Sequence, residues 1–158
     1  MLSLFRTHSV SAALGLGLVL AVTASGETQA KEEKGYSWEK EYFVPMRDGT
    51  RLSTDVLLPN NADGKLPTVL VRTPYHKEYT SWHWFSELGE FFLEKGYAVV
   101  IQNERGRQFS EGHYEDYLEG AADDGYDAVD WVSKQAWSNG KVGTIGCSSS
   151  GEQQWPMA

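Results

Sequence analysis

Two runs in this chain leave little freedom in how it folds. "LPTVLVRTPY" carries Val69, Leu70 and Val71 in succession, and "YAVVIQNE" carries Ala98, Val99, Val100 and Ile101. A strand with one wet face alternates apolar and polar residues. A strand that is apolar at every step has no face to offer water, so other elements must cover both sides. "KVGTIG", residues 141–146, reads as a third strand of this buried kind. The covering elements lie between the runs. In "SWHWFSELGEFFLEKG", Trp84, Leu88 and Phe91, with Phe85 and Phe92, recur at helical spacing, and Gly96 supplies the stop. In "LEGAADDGYDAVDWVSKQ", Ala122, Tyr126, Val129 and Val132 form the inward stripe. Glu119, Asp123, Asp124, Asp127 and Asp130 form a solvated acidic face. Buried strands alternating with helices predict a doubly wound, mostly parallel sheet covered on both faces.

A hairpin precedes this α/β unit. Tyr36, Trp38, Tyr42, Val44 and Met46 fall on alternate positions, Asp48-Gly49 supplies a turn, and Leu52, Thr54, Val56 and Leu58 alternate again. The expected order is a β-hairpin, then β-α-β-α-β, then the start of a helix. No internal repeat or low-complexity segment interrupts it.

Composition narrows the class. A chain that is 41% hydrophobic and 13% aromatic can build a core. A formal net charge of −8 disfavours nucleic acid and anionic membranes as partners. Cys147 is the single cysteine, which excludes an internal disulfide and a multi-cysteine metal site. Residues 1–30 read as a secretory signal peptide. Arg6 and His8 precede the apolar run "SAALGLGLVLAVTA", and Thr28 and Ala30 occupy the small-residue positions of a cleavage site. The mature chain from residue 31 is therefore expected to be secreted or periplasmic, with no membrane contact after cleavage.

The chemistry concentrates in "GCSSSG", residues 146–151. A serine on a sharp strand-to-helix turn has its hydroxyl lifted above the sheet, and the following backbone N–H groups point at the same place. Counting from Gly146 selects Ser148, and counting back from Gly151 selects Ser149. Spacing leaves both open, and a serine-rich helix cap accounts for the cluster as well.

Four stretches in order carry a resemblance. These are "VPMRDGTRLSTDVLLP", "PTVLVRTPYHK", "GYAVVIQNERGRQFSEGHY" and "DAVDWVSKQAWSNGKVGTIGCSSSG". Together they resemble the CocE/NonD hydrolases and the X-Pro dipeptidyl-peptidase (S15) family. The resemblance implies an α/β-hydrolase fold. Residues 31–158 would be the N-terminal portion of its catalytic domain, ending just after the nucleophile elbow. It selects Ser148 as nucleophile, because Gly146, Ser148 and Gly151 match the family's G-x-S-Y-x-G. Ser149 departs from the family's tyrosine, but its backbone N–H can still serve the oxyanion hole. Asn103 stands where the family commonly has an aspartate. The resemblance also makes Tyr75, in the "PY" motif, a hydroxyl donor to the oxyanion.

His8, His76, His83 and His113 all precede Ser148. In this fold the acid and the histidine follow the nucleophile, so the triad's Asp and His are expected outside these 158 residues. The chain then reads as a fragment of a longer enzyme, close to inactive alone. In it "KVGTIG" is a mid-sheet strand short of a neighbour, and Val69, Val71, Val99 and Ile101 are short of cover. Cys147 is expected as a small buried thiol, and Arg105 as a loop arginine holding its neighbours. The expected function is hydrolysis of acyl esters, amides or short peptides through an acyl-enzyme, of the X-Pro dipeptidyl-peptidase, cocaine esterase or α-amino acid ester hydrolase type. No metal or organic cofactor is implied, and the oligomeric state is open. The alternative is a non-catalytic secreted α/β module that binds a ligand.

Overall fold

The computed structural model describes residues 35–77, 85–114, 118 and 120–157. The expected signal peptide, Trp84, His83 and Glu119 lie outside them. Strands β1 (Tyr36–Pro45) and β2 (Arg51–Pro59) form the hairpin. Then follow β3 (Leu66–Thr73), α1 (Phe85–Glu94), β4 (Ala98–Asn103), α2 (Ala121–Ser133), β5 (Ser138–Thr144), the short helix α3 (Ser148–Glu152) and a 3-10 turn, Trp155–Met157. The five strands form one sheet in the order β1-β2-β4-β3-β5. β1–β2 and β2–β4 pair antiparallel, while β3 pairs parallel with both β4 and β5. This is the expected hairpin leading into a parallel α/β unit.

The apolar runs behave as their lack of alternation requires. Val69 pairs with Val99, Leu70 with Val100 and Val71 with Ile101. Side chains alternate across the sheet, so each strand feeds two cores. Leu57, Val71, Val99 and Ile101 pack with Leu93 and Phe92 of α1. Val56, Leu70 and Val100 pack with Ala128 and Val132 of α2. Val69, Val71, Val99 and Ile101 are all buried, so the cover expected to be thin is complete. Each fully buried Val, Leu or Ile side chain contributes roughly 1.5–3 kcal/mol.

β1 departs from the simple alternation read in the sequence. Its register against β2 shifts between Glu39 and Tyr42, one extra residue in a β-bulge, with Glu41 at φ +64°. Before the bulge, Tyr36 and Trp38 pack on the α1 side. After it, Val44 and Met46 join Leu52 and Trp131 on the other side. Asp55 of β2 holds the bulge. Its carboxylate accepts from the Glu41 N–H at 2.9 Å and from the Trp38 indole N–H at 3.1 Å. Lys77, just past β3, closes the set with a buried ion pair to Asp55 at 2.7 Å.

Two expectations need correction. The inward face of α2 is Ala121, Asp124, Gly125, Ala128 and Val132, whereas Ala122 is exposed and Tyr126 is 63% exposed. The stripe is displaced because Asp124, read as solvated, turns inward to meet two guanidinium groups. β5 is not a buried strand. It lies at the end of the described sheet, and Asn139, Gly140, Lys141, Gly143 and Thr144 are exposed. Among the described strands it pairs with β3 alone, which leaves its other edge open, and Val142 alone reaches the α2 core.

Removing one partner of a buried ion pair strands the other charge. Asp55→Ala should therefore cost about 3–5 kcal/mol, read as a lower urea midpoint at unchanged slope. The pair Asp55→Leu with Lys77→Met should recover most of the loss; a double variant as unstable as Asp55→Ala would disprove this account.

Candidate active site

Ile145, Gly146 and Cys147 turn the chain from β5 into α3. Cys147 is extended, at φ −131° and ψ 164°, and Ser148 swings to φ +50°. A serine in this left-handed region is strained by on the order of 1–3 kcal/mol, and the surrounding packing must hold it there. The glycines explain how. A Cβ on Gly146 would stand 2.3 Å from the Ser150 carbonyl oxygen, and one on Gly151 would stand 3.1 Å from the Gly146 oxygen. Strand and helix backbones approach so closely that no side chain fits between them. Ser148 is exposed at the apex. Cys147 is exposed as well, contrary to the buried thiol expected, because its extended backbone precedes the helix at the surface turn.

Ser150, the third serine, is buried. Its hydroxyl donates to Thr73 Oγ1 at 3.0 Å. The same Thr73 oxygen accepts from the Tyr75 backbone N–H at 3.2 Å. Asn103, at the end of β4, donates from Nδ2 to the carbonyls of Tyr75 at 2.6 Å and Thr73 at 3.3 Å. The Ser150 hydroxyl thus ties the end of β3 to the elbow helix, and the Asn103 amide ties the loop after β3 to the end of β4. Sequence reasoning noted Asn103 only as a departure from aspartate. The structure gives it work that an ionised carboxylate cannot do, since a carboxylate has no proton to donate.

Of the residues selected from sequence, Tyr75 and Ser149 line one cavity of about 450 Å³. Ser148 sits beside Ser149 on the elbow. Tyr75 is half exposed. His76 lines the same cavity and meets Phe109 edge-on, with ring centroids 5.2 Å apart. Among the described residues no group hydrogen-bonds to the Ser148 hydroxyl, and His113 lies in a different cleft.

That second cleft, of about 470 Å³, is organised by arginines. Arg105 binds Asp124 through Nε at 3.0 Å and Nη2 at 2.6 Å. Its Nη1 reaches Asp48 at 2.7 Å and Thr50 Oγ1 at 2.6 Å. This is the neighbour-holding role expected of it, and it draws the Asp48 carboxyl down to about 2. Arg72 is fully buried and donates to Gln102, to the Ala121 carbonyl and to Gln153. Glu104 is also buried, and its Oε1 has no partner. Burial raises its carboxyl to about 7, against the opposing pull of Arg72 and Arg107. Nothing in the spacing of "NERGR" separates these residues by role; their partners do.

The strand order, the helices on both faces and a serine on a strained strand-to-helix turn define the class as an α/β-hydrolase fold. Comparison then gives the family: residues 48–158 match X-Pro dipeptidyl-peptidase (S15 family), and the chain belongs to that family. It is 43% identical over 124 residues to the cocaine esterase of Rhodococcus sp. (strain MB1 Bresler), covering 78% of this chain and 21% of that protein. Among solved structures it is similar to an α-amino acid ester hydrolase, with TM-score 0.66, 33% identity, and 86% of this chain and 25% of the other covered. It is also similar to a CocE/NonD family hydrolase from Staphylococcus aureus, with TM-score 0.65, 32% identity, and 75% and 24% covered. The chain spans about a fifth of the esterase and a quarter of the two structures.

Two outcomes follow from this geometry. Gly146→Ala places a methyl against backbone that cannot yield, so stability should fall by about 1–3 kcal/mol or more, whereas Gly140→Ala meets no neighbouring atom and should be affected through its φ of +82° alone. Equal losses in urea titrations would rule out the close-approach account. Glu104 should make stability depend on pH. Its folded value near 7 lies above the ordinary 4.5, so its contribution is full below about 4.5 and is lost as pH rises through about 7. Glu104→Gln should flatten that part of the stability profile, and an unchanged slope between these pH values would refute the assignment.

Proposed function

We propose that these residues carry the nucleophile and oxyanion side of a serine hydrolase acting on acyl esters or amides. The observation that carries this reading is Ser148 at φ +50°, held at an exposed apex by the mutual approach of Gly146 and Gly151. Strain of this kind persists where packing over-determines it, and it clusters at reacting groups. In this reading Ser148 Oγ bonds to the substrate carbonyl carbon and loses its proton to a histidine oriented by an aspartate. The carbonyl oxygen becomes an oxyanion that takes hydrogen bonds from the Tyr75 hydroxyl and the Ser149 N–H. The carbon–leaving-group bond breaks as the histidine returns the proton to the leaving group. Water, deprotonated by the same histidine, then releases the acid and restores Ser148. No metal or organic cofactor enters.

The 158 residues contain no histidine after Ser148. The base and its acid therefore belong to chain outside them in this reading, and these residues alone act slowly. Loss of the histidine costs a factor on the order of 10⁶ in subtilisin. The names of the relatives extend the proposed substrate range to cocaine-like esters, α-amino acid esters and X-Pro peptides. Residues 1–30, as a secretory signal, would direct the protein to the periplasm or the exterior and then be removed.

The test is to incubate the 158-residue chain with a fluorophosphonate probe and an activated aryl ester, beside Ser148→Ala and Ser149→Ala. Slow labelling confined to Ser148, with negligible ester turnover, is the expected result. Labelling at Ser149 would reject Ser148 and make Ser149 the nucleophile, whereas no labelling in a chain that unfolds cooperatively would favour a ligand-binding module. Rapid turnover lost in Ser148→Ala would place the base among the histidines already present.

A further inference from the structure

The described arginines divide by their partners. Arg47 pairs with Asp123 and Asp127, Arg51 with Glu111, Arg72 with Asp124, and Arg105 with Asp48 and Asp124. Among the described residues Arg107 forms no ion pair, though its charge acts on the Glu104 carboxyl. Its Nε is buried without a hydrogen-bond partner. Its guanidinium carbon lies 3.5 Å over the centre of the Tyr114 ring, and the side chain lines the cavity that holds Tyr75 and Ser149. A desolvated donor without an acceptor is costly, and a protein retains one where a ligand supplies the acceptor.

The loop around Arg107 is built to hold it still. Gly106 N–H donates to the Glu111 carbonyl at 2.9 Å, Arg107 N–H to the Glu104 carbonyl at 3.1 Å, and Ser110 N–H to the Arg107 carbonyl at 2.9 Å. The Ser110 hydroxyl bridges the Asn103 carbonyl and the Ser53 N–H, both at 2.9 Å. Gly106, at φ +65°, lets the chain close so tightly that a Cβ would stand 2.3 Å from the Tyr114 nitrogen. This approach brings the Tyr114 ring beneath the guanidinium. Ring and loop hold the guanidinium on the cavity wall, and stacking on its face retains the in-plane N–H fork that matches a carboxylate.

We infer that Arg107 anchors a carboxylate carried by the substrate. On the reading of Ser148 as nucleophile, the preferred substrates are esters or amides bearing a second, free carboxylate on a flat acyl or leaving group. The carboxylate sits on Arg107 and the reacting carbonyl lies toward Tyr75 and Ser149. The cavity, at about 450 Å³, is within the range of small-ligand sites, and Tyr75, His76 and Tyr114 give it aromatic walls suited to a flat group.

Benzoate and the uncharged isostere benzamide test the anchor. Each is titrated into the 158-residue chain while the Arg107 Nε–H resonance is followed by NMR, and each is tested as a brake on fluorophosphonate labelling of Ser148. Benzoate should move the Arg107 resonance and bind at least ~10-fold more tightly than benzamide, as a charge-assisted bond implies. Arg107→Gln should abolish the preference, and Arg107→Lys, which keeps charge without the fork, should retain part of it. Equal binding of the two ligands, or a preference that survives in Arg107→Gln, overturns the anchor. If Arg107→Gln does not fold, the comparison in the unaltered chain and in Arg107→Lys still decides. Labelling of Ser148 with no benzoate preference rejects the anchor alone. A preference that follows Arg107 in a chain whose Ser148 never labels rejects the nucleophile alone.

Discussion

The structure depends on how a guanidinium is accommodated inside a parallel sheet. Arg72 projects from the carboxyl end of β3, buried on all sides. A charge so placed is costly unless every donor finds an acceptor. Its Nε meets Gln102 of β4, which donates in turn to Thr54 of β2. Its Nη1 meets the first carbonyl of α2 and the Gln153 side chain beyond α3. Asp124 lies 3.8 Å from Nη2 and binds Arg105 bidentately. One side chain therefore ties three strands, the covering helix, the loop after β4 and the elbow helix into a polar layer. That layer lies next to the apolar cores, at the carboxyl ends of the parallel strands where an open α/β sheet places its ligands.

The polar layer also explains why the elbow can be strained. Helix α3 has five residues, too few to hold a left-handed serine by its own hydrogen bonds. It is held from outside, by Thr73 through Ser150 and by Arg72 through Gln153. Both anchors belong to β3. The strand that supplies Tyr75 thus also positions Ser148, and the spacing between the two is set by one rigid element.

The sheet was legible because unbroken apolar runs admit one physical reading. Val69–Val71 and Ala98–Ile101 require cover on both faces, and helices provide it on both. The close approach at Gly146 and Gly151 was also legible, since small residues at that spacing serve little else. The inward face of α2 was not. Apolar counting ranks Tyr126 above Asp124 and Gly125, and it has no means of knowing that Arg72 waits opposite Asp124. β5 reads as buried from Val142 and Ile145, but burial needs a strand on each side, and among the described strands it pairs with β3 alone. Spacing does not show that Ser148, and not Ser149, carries the positive φ, because a dihedral angle leaves no mark in spacing. Nor could it separate Arg105 from Arg107 in "ERGR", where one guanidinium is saturated and the other is not.

The bulge in β1 has a further meaning for the chain as a string of fixed length. Because one supernumerary residue switches Val44 and Met46 to the face opposite Tyr36 and Trp38, the hairpin counts its residues by parity. Glu41 is the residue the ladder does not count. Without it Glu39 would still face Val56, Tyr42 would face Thr54 and Val44 would face Leu52, so the bulge would close and Val44 would keep its layer. Loss of Phe43 would instead draw Val44 opposite Ser53 and turn it to the other core. Length in this strand is therefore free by one residue at the bulge and fixed on either side of it, a rule that comes from the geometry of the pleat and not from the identity of any side chain.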